Sequence, residues 1–217
     1  VGRTGAGKSY VFVSLLRLTE PEPGSSIVMD GKELTSVGLR LLRRTLITLI
    51  PQNPVVFSGS IRFNLDPYKE HDDNTLQEML QDLQLAKVVA LRDGLDSDCG
   101  REGSSFSHGQ RQLLVVGRAL LQKKKTKVYL LDEATSSMDD ATDDIVQDAI
   151  RKYAKGITTV TVAHRLSTVL NCDRIGVLDA GRIIQIGKPS AIANEEGSPF
   201  HKMMLGSGIP KKHWPTE

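Results

Sequence analysis

The sequence has few cysteines, and the two that it has are far apart. Cys99 and Cys172 belong to no Cys-x-x-Cys pair in this 217-residue chain, so they indicate neither a zinc site nor a disulfide framework, and a reducing compartment is the default. No apolar run approaches the roughly 18 to 20 residues that a membrane-spanning helix needs, and no signal-peptide pattern opens the chain. Any membrane contact is therefore expected to come from another segment or another chain.

The sequence also has little net charge. Its 28 basic and 26 acidic residues leave +2, without the clustered excess of Lys and Arg that is typical of nucleic-acid-binding domains. The basic cluster Lys123–Lys125 with Lys127 is interpreted as a solvated connection. We therefore predict no nucleic-acid partner.

Apolar residues at helical spacing alternate along the chain with short apolar runs that are typical of buried strands. This order indicates an α/β fold with a mainly parallel sheet. The stretch from about residue 61 to residue 121 is mainly helical and is predicted to be an inserted subdomain. The predicted helices are Tyr10–Leu18, Asn74–Arg92, Leu113–Leu121 and Ile145–Tyr153. The predicted strands are Ile27–Met29, Thr45–Ile50, Val128–Leu131, Ile157–Val162, Arg174–Leu178 and Arg182–Ile186.

The chain opens inside a glycine-rich motif that fits the P-loop pattern at every fixed position. Glycines let successive backbone N–H groups curl round phosphate oxygens, and the helix that follows presents its positive end to them. Lys8 is expected to reach the β- and γ-phosphates, and the Ser9 hydroxyl to bind Mg²⁺. The residues predicted to bind ATP are Gly2, Arg3, Thr4, Gly5, Ala6, Gly7, Lys8, Ser9 and Tyr10. Because the motif starts at once, we expect a fragment whose N-terminal part is missing.

Two acidic residues close a hydrophobic strand further along. Asp132 is the expected partner of the magnesium ion, directly or through its hydration shell. Glu133 is the candidate to orient and deprotonate the attacking water. Such a pair is weak by itself, but after a P-loop in an α/β chain it becomes a strong prediction.

The stretch Ser105–Gln112 resembles the signature motif of ATP-binding-cassette (ABC) proteins, usually written Leu-Ser-Gly-Gly-Gln. The residues expected to face the partner's ATP are Ser107, His108, Gly109 and Gln110. By itself this stretch is better explained as an ordinary N-capped helix, and its place after a P-loop favours the signature.

Other elements resemble the remaining motifs of the family, in the family's order. Gln52 resembles the Q-loop glutamine, which in the family senses magnesium and couples to the transmembrane partner. Ser136–Asp139 resembles the D-loop, and His164 resembles the switch histidine that contacts the γ-phosphate. The set of catalytic candidates is therefore Glu133, His164 and Gln52, and the set of metal candidates is Ser9, Gln52 and Asp132.

The resemblance covers nearly the whole chain and implies one nucleotide-binding domain over residues 1–217. It implies a P-loop NTPase (RecA-like) core, a helical signature subdomain at about 61–121 and a C-terminal tail at about 207–217. Val1–Ser9 and Phe57–Pro67 are similar to the C subfamily, the branch of multidrug-resistance-associated and conductance-regulator proteins. Glu133 favours the second cassette of that subfamily, because the first usually carries Asp at this position.

The resemblance also implies a function. The expected activity is hydrolysis of ATP with Mg²⁺, powering transport of a solute across a membrane. The expected partners are ATP, a second nucleotide-binding domain that pairs head to tail with this one, and transmembrane domains outside this sequence. The domain itself is expected on the cytoplasmic side.

Three positions depart from the family's pattern. Phe106 replaces the usual Leu of the signature, and His108 the usual Gly or Val. Tyr10 stands where the family has Ser or Thr, whose hydroxyl approaches the α-phosphate. Whether His108 assists an anion or crowds its site stays open.

A second hypothesis is a regulatory cassette that uses ATP mainly as a ligand and gates a channel or receptor-type membrane protein with little hydrolysis. A third is a soluble ABC protein of DNA repair or translation, which the C-subfamily segments and the absence of a basic patch disfavour. A P-loop kinase or GTPase explains neither the signature nor Gln52 and His164.

Overall fold

The structure is a computed structural model that describes residues 1–122, 125–133, 138–163 and 165–216. The chain forms two compact units, one from Val1–Gly38 with Thr161–Glu217 and one from Leu39–Val160. Each unit has its own cluster of buried apolar side chains. Within the described residues, no helix combines the length and the apolar character that crossing a membrane requires.

The helices and strands alternate along much of the chain. The helices are α1 (Lys8–Leu15), α2 (Leu39–Leu41, continued by a π-type turn at Leu42–Leu46), α3 (Ile61–Leu65), α4 (Asp73–Asp82), α5 (Ala86–Ala90), α6 (His108–Leu121), α7 (Asp140–Tyr153), α8 (Pro189–Asn194) and α9 (Pro199–Gly206). The strands are β1 (Val28–Met29), β2 (Lys32–Glu33), β3 (Ile47–Ile50), β4 (Val128–Asp132), β5 (Thr158–Val162), β6 (Ile175–Asp179) and β7 (Arg182–Gly187).

One sheet has three strands in the order β3-β4-β5, and β3 and β4 belong to the second unit. β3 and β4 are parallel, with Ile47 opposite Val128 and Ile50 opposite Leu131. Their side chains are largely buried, as expected for a parallel strand pair covered on both faces. This pairing confirms the predicted parallel sheet, whereas β1-β2 and β6-β7 are antiparallel hairpins.

The helices α3 to α6 fall in the range predicted to be an inserted helical subdomain. They share one compact unit with β3 and β4, so the boundaries of a separate subdomain stay a prediction. α6 begins at His108, five residues before the predicted start at Leu113. Its first turn is polar, so apolar periodicity does not predict it. Ser107 and Gln110 form a capping box there, in which the side chain of each accepts the backbone N–H of the other.

The predicted helix Asn74–Arg92 is two helices, α4 and α5. The chain leaves α4 through Gln84, which has a φ of 54°. The N–H of Leu85 donates to the carbonyl of Leu80, and that of Gln84 to Gln81, the bonding pattern of a Schellman cap. Glycine is the usual residue at the left-handed position of this cap, so a glutamine there hides the helix end from sequence reasoning.

The first unit contains the β6-β7 hairpin and the C-terminal helices. Ala180 and Gly181 have φ values of 46° and 75°, and the two residues connect the strands as a tight turn with both central residues left-handed. In the stretch predicted to be a tail, Trp214 is buried and its Nε1–H donates to the carbonyl of Ile209 at 3.0 Å. Its ring also meets that of His201 edge-on, with the ring centroids 5.3 Å apart. The packing of Trp214 therefore holds residues 207–216 in place within the first unit.

Candidate active site

The glycine-rich stretch lies in the first unit and leads into α1. Gly5 and Gly7 have φ values of 79° and 97°, which favour glycine because a Cβ is strained there. α1 begins directly after Gly7, and a glycine has no side chain with which to cap the N–H groups of the first turn. Such N–H groups, at the positive end of a helix, form the kind of site that binds phosphate.

Lys8 is folded against this loop. Its side chain is buried, and Nζ donates to the carbonyls of Gly2 at 2.9 Å and Arg3 at 3.0 Å. An ammonium group carries three donors, and these carbonyls account for two of them. The loop therefore holds a positive charge at its centre. Ser9 and Tyr10, by contrast, are exposed.

The β6-β7 hairpin braces the glycine-rich loop from within the same unit. Gly2 forms an isolated parallel bridge with Leu178, and an ideal Cβ on Gly2 would lie 2.4 Å from the Leu178 carbonyl oxygen. The N–H of Gly181 donates to the Ala6 carbonyl at 3.0 Å. At the loop's outer edge, Arg3 Nη2 lies 2.8 Å from Asp179 Oδ1. Sequence reasoning missed this brace, because most of it is made by backbone atoms about 175 residues apart.

Gln52 and Glu133 meet in the second unit, at the carboxyl ends of β3 and β4. Ile50 pairs with Leu131, and each candidate lies two residues beyond its member of that pair. Gln52 Nε2 donates to Glu133 Oε2 at 3.1 Å. Asp132 ends β4 next to them. Parallel strands bring their carboxyl ends to one edge, so the register explains why these residues come together.

Glu133 has a backbone conformation that is unusual for its residue type. Its φ is 48°, in the left-handed region that few non-glycine residues occupy. Such a conformation costs of order 1 kcal/mol or more and persists only where the surroundings impose it. The backbone conformation of Glu133 itself therefore sets the direction of its side chain, and no sequence pattern indicates that conformation.

The signature residues lie at the start of α6. Ser107 Oγ accepts the N–H of Gln110 at 3.2 Å, and Gln110 Oε1 accepts the N–H of Ser107 at 3.0 Å. An ideal Cβ on Gly109 would lie 3.8 Å from Thr142 Cγ2, so the start of α6 runs close to α7. Ser107 and His108 are exposed.

The remaining predicted motifs lie partly outside the described residues. His164 falls there, as do Ser136 and Ser137 of the predicted D-loop and Lys123 and Lys124 of the basic cluster. Asp139 is described and caps α7, accepting from Thr142 N at 3.0 Å and from Thr142 Oγ1 at 2.9 Å. These hydrogen bonds to Thr142, the backbone one first, hold the pKa of Asp139 below its ordinary value.

Comparison with known proteins identifies the family. The family model described as "ABC transporter" matches residues 1–136, more than half of the chain. The chain belongs to the ABC transporter family. The resemblance stated from the motifs is thereby confirmed, and membership implies ATP binding. ATP hydrolysis coupled to transport is the general activity of the family.

Similar ABC transporters include members of the C subfamily. One is ABC transporter C family member 12 of Dictyostelium discoideum, 47% identical over 199 residues, which cover 91% of this chain and 15% of that protein. Another is ATP-binding cassette sub-family C member 10 of the mouse, 44% identical over 207 residues, which cover 95% of this chain and 14% of that protein. The chain thus spans about a seventh of the length of these relatives.

A solved ABC transporter has a similar fold. The structure of a bacterial Atm1-family ABC exporter with ATP bound is 28% identical to this chain, with a TM-score of 0.86. The match covers 97% of this chain and 36% of that one. Together with the parallel β3-β4 pair, it confirms the predicted α/β fold of a P-loop ABC domain.

The departures from the usual ABC pattern lie in contrasting surroundings. Phe106 is buried, and the guanidinium of Arg92 lies 4.7 Å from the centre of its ring, so the exchange for leucine is absorbed in the core. His108 and Tyr10 are exposed, and 74% of the Tyr10 surface is accessible. The core of this ABC domain therefore accommodates the first change, whereas the other two alter its surface chemistry.

One further side chain near Gln52 was not among the predicted site residues. Gln112, on α6, is 1% exposed and donates from Nε2 to the Pro51 carbonyl at 3.0 Å. Gln112 directly precedes the apolar run Leu113–Leu121 and follows polar residues, so the sequence gives no sign that it is buried and needs a partner.

Proposed function

We propose that this chain is an ATP-hydrolysing domain that powers transport of a solute across a membrane. In this proposal it pairs with a second nucleotide-binding domain, and transmembrane domains outside this sequence carry the solute. The domain lies on the cytoplasmic side of the membrane. It corresponds to the second cassette of a C-subfamily transporter.

The observation that carries the proposal is the contact of Gln52 Nε2 with Glu133 Oε2 at 3.1 Å. Glu133 is the general base that orients and deprotonates the attacking water, and Gln52 holds its carboxylate. A base must lie within hydrogen-bond reach of the proton that it removes, so a fixed carboxylate direction favours this role. The strained backbone of Glu133 supports it, since such strain concentrates at functional sites.

Mg²⁺ is the proposed metal, and it would neutralise charge on the phosphates when bound. Its proposed protein ligands are the Ser9 hydroxyl, the Gln52 carbonyl oxygen and the Asp132 carboxylate. The donor set fits, because Mg²⁺ prefers oxygen and is usually held by few protein ligands together with phosphates and water. The Gln52 contact with Glu133 uses the amide nitrogen and does not occupy the carbonyl oxygen. Within the described ranges, no group of three or more His, Cys, Asp or Glu side chains could hold a metal ion.

The remaining site residues have proposed roles of two kinds. The loop from Gly2 to Ser9, with Tyr10, binds the phosphates of this domain's ATP, and His164 contacts the γ-phosphate. The exposed start of α6 contacts the ATP of the partner domain through Ser107, His108, Gly109 and Gln110. ATP held between two domains stabilises the closed pair, and the resulting population shift is passed to the transmembrane domains.

The test is Glu133→Gln in the complete protein. ATP binding is expected to persist while hydrolysis falls by about 10²- to 10⁴-fold, the usual contribution of general-base catalysis, and closed domain pairs accumulate. Glu78→Gln is the matched control, since it makes the same chemical change at an exposed position of α4. Near-normal turnover of the Glu133 variant would remove Glu133 from the role of base.

A second candidate function is a regulatory cassette with little hydrolysis. His108 favours it, since an exposed imidazole replaces a small residue in the proposed contact with the partner's ATP. ATPase activity of the complete protein, measured with and without transported compounds, separates the two functions. Stimulated turnover supports transport, whereas a conformational response to ATP without appreciable turnover supports regulation.

A further inference from the structure

Two side chains of α6 hold the loop Pro51–Val55, which follows β3, at its two ends. At its start, Gln112 Nε2 donates to the Pro51 carbonyl at 3.0 Å. At its end, Arg118 Nη2 donates to the Val55 carbonyl at 2.6 Å. Burial lowers the pKa of Arg118 to about 10, which still leaves its guanidinium charged near neutral pH. The segment that contains Gln52 is therefore held by one helix.

The contact at Pro51 is the one nearest to the site. β3 ends at Ile50, so the Pro51 carbonyl lies beyond the strand ladder, and proline has no N–H of its own to bond. Gln112 supplies a donor to this carbonyl from a side chain that is almost fully buried. Burying an amide is costly unless it is hydrogen-bonded, and an apolar side chain of similar size would fill the same space at a lower desolvation cost.

A continuous set of contacts links the signature end of α6 to the proposed base. Ser107 caps α6, which begins at His108 and carries Gln112 about one turn further on. Gln112 holds Pro51, the next residue is Gln52, and Gln52 donates to Glu133. A shift of α6 at its signature end would therefore be passed to the amide that orients the carboxylate.

We propose that Gln112 is a positioning residue that sets the place of Gln52 and so couples the signature helix to the catalytic carboxylate. The inference rests on the proposed function for the role of Glu133, but the contacts that it invokes do not. The proposed route from Gln112 to the chemistry runs through Gln52.

The test begins with Gln112→Met in the complete protein, which keeps the size of the side chain and removes the donor. kcat for ATP hydrolysis is expected to fall about tenfold, because small displacements of catalytic groups carry large rate penalties, while KM for ATP changes less than about twofold. Gln147→Met is the matched control. Gln147 bonds Asp143 within its own helix α7, at 3.2 Å, so this variant is expected to leave kcat unchanged.

A double-mutant cycle distinguishes positioning from general structural support. In a Gln52→Ala background, Gln112→Met is expected to cause no further loss of kcat, since residues that act through one another are non-additive. The same tenfold loss in that background would overturn the proposal. If the methionine variant does not fold, Gln112→Leu also removes the donor with an apolar side chain of similar size, and the same results are expected from it.

A second readout does not depend on hydrolysis. A nitroxide spin label at Asn53→Cys, an exposed position beside Gln52, reports the mobility of the loop in the complete protein. Gln112→Met is expected to increase that mobility and Gln147→Met to leave it unchanged. Equal label mobility in all three proteins would overturn the positioning role. If the parent protein does not hydrolyse ATP, the proposed function fails, and the label still decides the inference.

Discussion

The glycine-rich loop and the edge formed by β3 and β4 are held in place by different kinds of contact. Around the loop, the bonds from Leu178 to Val1 and from Gly181 to Ala6 join backbone to backbone. At the β3-β4 edge, the contacts of Gln52 with Glu133 and of Gln112 with Pro51 depend on particular side chains. Both regions carry predicted site residues, but substitutions should act on them in different ways.

A backbone brace is tolerant of most side-chain changes and intolerant of a few. It fails where a side chain enters the space that the two backbones share, as at Gly2. A side-chain brace fails whenever the donor or acceptor is removed. The loop should therefore be sensitive to added atoms, and the β3-β4 edge and α6 to lost ones. Three substitutions test this contrast.

Gly2→Ala is expected to have the largest effect. The new Cβ would lie 2.4 Å from the Leu178 carbonyl oxygen, a backbone atom that can move only with the hairpin. The clash, together with the left-handed φ of 156°, should open the Gly2–Leu178 contact at a cost of about 2 to 4 kcal/mol. Hydrogen exchange of the Leu178 amide should accelerate by at least about thirtyfold. The affinity for ATP should decrease as well, because the same loop is proposed to bind its phosphates.

Gly31→Ala is the matched control for that change. Gly31 has a φ of 75° and open space where a Cβ would be, so it carries the backbone strain without the clash. Its cost should be about 1 to 2 kcal/mol, confined to the turn between β1 and β2. Equal acceleration at Leu178 in both variants would mean that the hairpin does not brace the loop.

Ser107→Ala should have an intermediate effect, by removing atoms from the second unit. The change deletes the acceptor for the Gln110 N–H, and loss of such a cap costs about 1 kcal/mol. Exchange of the Gln110 amide should therefore accelerate about fivefold. The proposed contact with the partner's ATP adds an expected decrease in ATP turnover.

Ser60→Ala separates the two consequences of that substitution. Ser60 caps α3 in the same way, accepting the N–H of Phe63 at 3.1 Å, but belongs to no predicted site. It should accelerate exchange at Phe63 without slowing turnover. A comparable loss of turnover in both variants would show that capping alone, rather than the signature position, controls activity.

The same contrast explains what the sequence could predict. The P-loop, the end of β4 at Asp132 and the position of Gln52 after β3 were all readable, because local patterns specify them. The meeting of Gln52 with Glu133 follows from parallel pairing, which alternating helices and strands indicate. By contrast, the left-handed φ of Glu133 and the bond from Gln112 to Pro51 depend on packing between distant segments. Neither of these two features produces a periodic pattern in the sequence.

Arg3→Ala is expected to have the smallest effect, although it removes an ion pair from the loop itself. Arg3 Nη2 lies 2.8 Å from Asp179 Oδ1, but 82% of the Arg3 side chain is exposed, and solvent screens such pairs. The hydrogen bond to Asp179 raises the pKa of Arg3, and added salt should weaken an exposed pair of this kind. Leu178 exchange in the nucleotide-free protein should change less than about twofold, and Asp179→Ala should behave alike. Acceleration approaching that of Gly2→Ala would mean that this side-chain pair, and not the backbone contacts, holds the loop, and the two regions would then be built on the same principle.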